Sequence, residues 1–142
     1  MKIKIPLQLV ELETGNFHLI ATGTFPDGTT GNWAVDTGAS KTVFDKNLAS
    51  FYSVLPGAEE EIHSAGIGEK PVETILGFLS AFSLGKFKTG KMKVALLDLS
   101  HINELYKKAT NLEICGLIGG DFLSKHKAVI DYKRKIMVLR SV

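Results

Sequence analysis

Asn32-Trp33-Ala34-Val35-Asp36-Thr37-Gly38-Ala39-Ser40 is a run of apolar residues that ends on a carboxylate and a tight, small-residue turn. Trp33-Ala34-Val35 reads as a short buried strand, and Asp36 stands at its end, where desolvation and hydrogen bonding can tune a carboxyl group. Gly38 lets the backbone come close to that carboxylate, Thr37 offers a hydroxyl to anchor the loop, and Ala39-Ser40 keep the turn slim. Asp-Thr-Gly alone recurs by chance, and a solvated turn aspartate is the plain alternative. The apolar strand running into it is what favours a functional site.

On the N-terminal side, Ile3, Ile5, Leu7 and Leu9 alternate as one face of a strand, and Glu13-Thr14-Gly15-Asn16 turns the chain into a second strand, Phe17 to Thr24. Pro26-Asp27-Gly28 makes a loop before the Trp33 strand. On the C-terminal side, the spacing predicts a short helix from Asp45 to Phe51 with Asp45 as N-cap, broken by Pro56-Gly57. A protruding hairpin follows, with Gly66-Ile67-Gly68 at its turn and a β-prone stretch from Val72 to Leu84. Met92 to Leu97 reads as a strand, Ser100 to Ala109 as a helix through Ile102, Leu105, Tyr106 and Ala109, and Asp121 to His126 as a short helix. Two strands close the chain, separated near Lys133-Arg134. Many short strands with glycine-rich turns and little helix indicate an all-β barrel with one or two short helices, as one domain over residues 1–142.

Bulk properties name no partner by charge. Seventeen basic and fifteen acidic side chains nearly balance, and no Lys/Arg run gives the footprint of a nucleic-acid or anionic-membrane binder. Lys86 to Lys93 holds four lysines around Phe87, which reads as an exposed hairpin. Cys115 is the single cysteine and sits among apolar residues as a small buried hydrophobe. The basic-apolar alternation at the start is unlike a signal peptide, and no apolar stretch is long enough to span a bilayer, so the expectation is a soluble cytoplasmic protein.

Asp36-Thr37-Gly38-Ala39-Ser40 after an apolar strand resembles the catalytic loop of retropepsins, the retroviral-type aspartic proteases, and of their single-domain cellular relatives. Ile114-Cys115-Gly116-Leu117-Ile118-Gly119-Gly120-Asp121-Phe122-Leu123 resembles the glycine strand that passes behind that loop in the family and leads into a short helix. Ala128-Val129-Ile130-Asp131-Tyr132 matches the closing strand. The order of loop, glycine-rich hairpin and glycine strand also fits, over roughly residues 3 to 140. The resemblance implies a closed acid-protease barrel and a peptidase acting on polypeptides. In it Asp36, Thr37 and Gly38 would form the catalytic loop, Gly66, Ile67 and Gly68 the tip of a flap that closes over substrate, and Ile118, with Ile67 and Ile75, the groove.

One Asp-Thr-Gly per chain has a consequence under that resemblance. Acid-protease chemistry needs two carboxylates, and this length holds no second lobe, so a symmetric homodimer is implied. The two Asp36 groups would share one proton and activate a water between them, with no metal or other cofactor. Thr37 would brace the loop across the dimer and the Gly38 amides would orient the carboxylates. Ala39, where a hydroxyl would add a hydrogen bond to Asp36, implies a less acidic working range.

Other residues carry plainer readings. Asp121 follows two glycines and reads as a structural helix cap. His18, His63, His101 and His126 lack metal-ligand spacing, and Ser40 and Ser64 lack a nucleophile elbow. Asp36 to Thr42 also bears a weak resemblance to the phosphate loop of actin-like kinases, but a chain this short holds neither their second domain nor a second loop, and no P-loop motif is present. The alternative that stays open is a catalytically silent retropepsin-like module for dimerisation or peptide binding.

Overall fold

The computed structural model describes residues 1–62 and 72–141, with backbone alone at 56–62 and 72–74. Its strands are β1 (Lys2–Pro6), β2 (Gln8–Glu13), β3 (Asn16–Thr24), β4 (Thr30–Val35), β5 (Val43–Asp45), β6 (Tyr52–Ile62), β7 (Val72–Leu79), β8 (Ser83–Leu84), β9 (Phe87–Lys88) and β10 (Met92–Leu97). Helix α1 (Ser100–Ala109), β11 (Ile114–Ile118), α2 (Gly120–Lys125), β12 (Val129–Asp131) and β13 (Ile136–Arg140) complete the chain. The architecture is mostly β: one large curled sheet forming a half-barrel, a small sheet that contributes Ile5, Met137 and Leu139 to the same core, and two helices.

Among the described residues the large sheet runs β6-β7-β10-β5-β11-β4-β3-β8-β9, with β2 also paired to β3. β11 lies inside it, parallel to β4 and antiparallel to β5. Covered on both faces, β11 is buried almost throughout and shows no polar alternation, as an interior strand should. The small sheet is β1-β13-β12, with Lys2 opposite Arg140 and Pro6 opposite Ile136. The two ends of the chain therefore pair with each other inside one subunit.

Trp33 organises the main core. Its side chain is fully buried, stacked on Phe82 with ring centroids 4.8 Å apart and tilted against Phe44 at 5.7 Å. The indole lies between two glycine positions on neighbouring strands. A Cβ at Gly116 would sit 2.4 Å from Trp33 Cζ3 and 2.4 Å from the Val43 carbonyl oxygen, and one at Gly23 would sit 2.9 Å from Trp33 Nε1. The glycine of the sequence motif is thus a space requirement set by this ring. A second cluster, Val10, Ile20, Ala34, Tyr106 and Ile114, seats α1 on the other face of the same strands.

Helix α1 occupies Ser100–Ala109, as its spacing predicts. Asp98 accepts hydrogen bonds from the Ser100 hydroxyl and, at 3.0 Å, from the Ser100 amide, while Asn47 Nδ2 donates to it at 2.8 Å. These bonds, the Ser100 hydroxyl first, hold its carboxyl down at about 2. At the other end Thr110 returns both its amide and its hydroxyl to the Tyr106 carbonyl, each at 2.7 Å.

Two expectations are corrected. Asp45 does not cap a helix: it ends β5, and its carboxylate accepts from the Asn47 amide at 3.1 Å and from Asn47 Nδ2 at 2.9 Å. That local turn leaves only a 3₁₀ turn at Ala49–Phe51. The alternation from Ile3 to Leu9 is not one strand either. The chain breaks at Leu7, whose amide donates to the Lys135 carbonyl at 2.8 Å, and β1 and β2 enter different sheets.

Candidate active site

The parallel pairing of β4 with β11 sets Trp33 opposite Gly116, Ala34 opposite Leu117 and Val35 opposite Ile118, so both strands finish at the same level. From one end emerges the loop of Asp36, and from the other Gly119-Gly120 and α2. The Asp36 amide donates to the Ile118 carbonyl at 2.9 Å, which prolongs the pairing by one residue and fixes where the carboxylate starts. Inside the loop the Gly38 amide donates to Asp36 Oδ1 at 3.0 Å and the Ala39 amide to the Asp36 carbonyl at 3.2 Å. Asp36 is half-buried, Thr37 and Gly38 are exposed, and Oδ2 of Asp36 has no hydrogen bond among the described residues. One carboxylate oxygen is therefore oriented by a backbone amide while the other stays available.

The back of the loop is held by the glycine strand and the helix after it. Gly120 donates to the Ala39 carbonyl at 2.7 Å and Asp121 to the Ser40 carbonyl at 3.2 Å. Gly119 packs directly under the loop, since a Cβ there would lie 2.6 Å from the Lys41 carbonyl carbon and 2.9 Å from the Ala39 oxygen. Thr42, 1% exposed, is the hub: its amide and hydroxyl donate to Asp121 Oδ1 at 2.9 and 2.7 Å, and its Oγ1 accepts from the Gly119 amide at 3.1 Å. Asp121 is structural, as expected, but in another way. The α2 N-cap is Gly119, and the Asp121 carboxylate ties the loop to α2 through Thr42 while taking the Phe122 amide at 2.8 Å. Sequence reading missed Thr42, whose partner lies far along the chain.

Ile118 does not open onto the loop's solvent side. It is 1% exposed and packs in the main core, whereas its neighbour Leu117 is half-buried and borders a cavity of about 350 Å³ that reaches Asp36 and Thr37. The strand face was therefore assigned one residue out of register. Ile75 is 49% exposed on β7, while Gly66, Ile67 and Gly68 lie outside the described residues. A cavity of about 710 Å³ bordered by Phe25, Phe51, Asn32 and Glu113 does not include the Asp36 loop.

Beside Asp36 the cavity is lined by Leu12, Ile102, Leu105 and Leu117, and Tyr106 and His18 supply polar atoms. The Tyr106 hydroxyl and His18 Nδ1 are 3.2 Å apart, with the rings edge to face at 5.8 Å. Burial, and after it the negative charge of Asp36, push the Tyr106 phenol up, so it stays neutral near pH 7. Cys115 is buried at 5% exposure, and burial likewise raises its thiol, which keeps it a thiol instead of a nucleophilic thiolate. Among the described residues no three His, Cys, Asp or Glu side chains gather as a metal-ligand set, and no helix is long and apolar enough to cross a membrane.

A family model described as aspartyl protease matches residues 21–122 of the 142, a span that holds both the Asp36 loop and the glycine strand. No curated protein matches the chain. Among solved structures, it is similar to a retropepsin-like aspartic protease from Rickettsia conorii, with a TM-score of 0.54 and 16% identity over 98% of this chain and 90% of that one. It is also similar to the retroviral protease-like domain of Ddi1 from Leishmania major, with a TM-score of 0.54 and 14% identity over 88% of this chain and 90% of that one. At such identities the two structures speak for the fold alone, and the family model speaks for descent. The chain belongs to the aspartyl protease family and has the retropepsin-like fold.

Proposed function

We propose that this chain is an aspartic endopeptidase that acts as a homodimer, hydrolysing peptide bonds with a water held between two Asp36 carboxylates. The observation that carries the reading is the Asp36 loop itself. A carboxylate stands at the joint end of two parallel strands, oriented by the Gly38 amide and clamped from behind by Gly119, Thr42 and Asp121, with its second oxygen available. Such bracing suits a group that must keep its position while its protonation changes.

Each chain supplies one such loop, so the second carboxylate comes from a second copy related by a two-fold axis. Two carboxylates that close cannot both ionise, and the pair shares a proton. The ionised member takes a proton from the water as it attacks the scissile carbonyl carbon. The protonated member donates to the carbonyl oxygen, giving a tetrahedral intermediate that collapses as the amine leaves with a proton. Thr37, exposed and without a hydrogen bond among the described residues, is the side chain available to brace the loop across the axis. β1 and β13 pair within the chain. Val129 and Tyr132, each 61% exposed along β12 and its turn, offer apolar contact surface for a second copy. Gly66, Ile67 and Gly68 remain the proposed flap.

The test is digestion of an unstructured peptide library read by mass spectrometry between mildly acidic and neutral pH. Cleavage that an aspartic-protease inhibitor blocks is the expected result. A folded, dimeric chain that cleaves nothing at any of these pH values would leave the silent peptide-binding module as the reading.

A further inference from the structure

We propose that the cavity at the opposite end of β4 from Asp36 binds a small organic cation, a primary amine with an apolar body the size of a phenyl ring: Asp45 holds the ammonium group, and Phe25 and Phe51 hold the body. The inference is independent of the peptidase reading, and its test needs no cleavage.

Strand directions place the cavity. Thr30, Gly31 and Asn32 open β4, Ile114 and Cys115 open β11, which runs parallel to it, and Asp45 ends β5, which runs antiparallel to β11; all of them border the space of about 710 Å³. The Asp36 loop leaves the other end of β4. The volume lies within the range of small-molecule sites. Its polar wall is already fixed by its own hydrogen bonds. Asn32 Nδ2 donates to the Glu113 carbonyl at 3.1 Å, and Asn103 donates to the Ile114 carbonyl at 3.2 Å while accepting from the Ile114 amide at 2.6 Å. Phe25 and Phe51, stacked with ring centroids 4.3 Å apart, give the cavity an aromatic wall.

Asp45 supplies the charge. At 6% exposure it is the one buried carboxylate among the described residues. Three donors converge on its Oδ1, the Asn47 amide at 3.1 Å, Asn47 Nδ2 at 2.9 Å and the Leu99 amide at 3.4 Å. Oδ2 accepts no hydrogen bond, and the side chain has no ion pair, among the described residues. A carboxylate taken this far out of water ordinarily has a cation beside it. Lys107, the cation at the cavity border, lies 3.6 Å from Glu113 instead. An ammonium group placed at Oδ2 completes Asp45 with a charge-assisted hydrogen bond. Among the described residues no three His, Cys, Asp or Glu side chains gather as a metal-ligand set, so the counter-charge that fits is organic. The phenylalanine faces favour a cation that carries an apolar body.

The test is an NMR titration of the isotope-labelled full chain with three probes of like shape: phenethylamine, phenethyl alcohol and phenylacetate. The backbone amide signals of Thr30, Asn32 and Cys115 should move saturably with the amine, about tenfold or more weakly with the alcohol, and not with the acid. Asp45→Asn keeps a carbonyl oxygen for the Asn47 and Leu99 donors and removes the charge, so it should bring the amine down to the affinity of the alcohol and leave the alcohol unchanged. Phe51→Ala should weaken both alike. If Asp45→Asn does not fold, the ratio of amine to alcohol in the wild type still decides. Equal affinity for the two overturns the proposal, as do shifts confined to the Asp36 loop or none up to about 10 mM amine. Potassium chloride that moves the same signals and displaces the amine would also overturn it, by making an inorganic cation the occupant.

Discussion

Asp36→Asn is expected to lower the rate of peptide cleavage by at least the 10²–10⁴-fold, roughly, that a positioned acid or base contributes, and to leave the folded chain intact. Asparagine is nearly isosteric, and its carbonyl oxygen can still accept from the Gly38 amide at the position Asp36 Oδ1 holds. It cannot take the proton of a water or pass one to a carbonyl oxygen. Since both Asp36 groups of the dimer would be changed, no carboxylate is left to share a proton. Stability should move little, within about 0.5 kcal/mol, because Asp36 is only half-buried and takes part in no ion pair among the described residues. Initial cleavage rates beside thermal unfolding curves check both halves. A variant that keeps wild-type rates would remove Asp36 from the chemistry.

The largest effect on stability is expected from Trp33→Ala, a loss of about 3–5 kcal/mol. The indole is wholly buried, stacked on Phe82 and tilted on Phe44, and the glycines at 23 and 116 are shaped around it, so nothing nearby can fill the space without strand movement. A loss of that size is a large share of the about 5–15 kcal/mol that keeps a typical domain folded, and Asp36 lies three residues further along the same strand run. Trp33→Phe should cost less, because part of the volume returns and Trp33 Nε1, buried without a hydrogen-bond partner, is removed. Trp33 is the only tryptophan, so urea unfolding has to be followed by far-ultraviolet circular dichroism instead of fluorescence. A change under about 1 kcal/mol for the alanine variant would mean that the core tolerates the void.

The loop and the glycine strand could be read from the sequence because their chemistry is local. An apolar run that ends on Asp36-Thr37-Gly38, and a strand with a glycine where a tryptophan ring must pass, carry their reasons in neighbouring residues. Helix α1 was equally legible from the spacing of Ile102, Leu105 and Tyr106. The groove face was not. β11 is covered on both sides, so no polar alternation marks which residue looks out, and only its register against β4 separates Leu117 from Ile118. Asp45 and Asp121 show a related ambiguity. A carboxylate that caps a helix, closes a turn or accepts from a distant amide uses the same hydrogen bonds, and Thr42 and Asp121 stand 79 residues apart. His18 and Tyr106, 88 residues apart, likewise left no local trace. The break at Leu7 was hidden because the apolar alternation continues across it while the backbone changes sheets.

That two copies of Asp36 make one active site can be tested by subunit mixing. Wild-type and Asp36→Asn chains are combined in varying proportion at constant total concentration, allowed to exchange, and assayed on one peptide. Activity should fall as the square of the wild-type fraction, to about one quarter in an equal mixture, because only dimers with two intact carboxylates act. A linear fall, to about one half, would show that each chain works alone and would contradict the shared carboxylate pair.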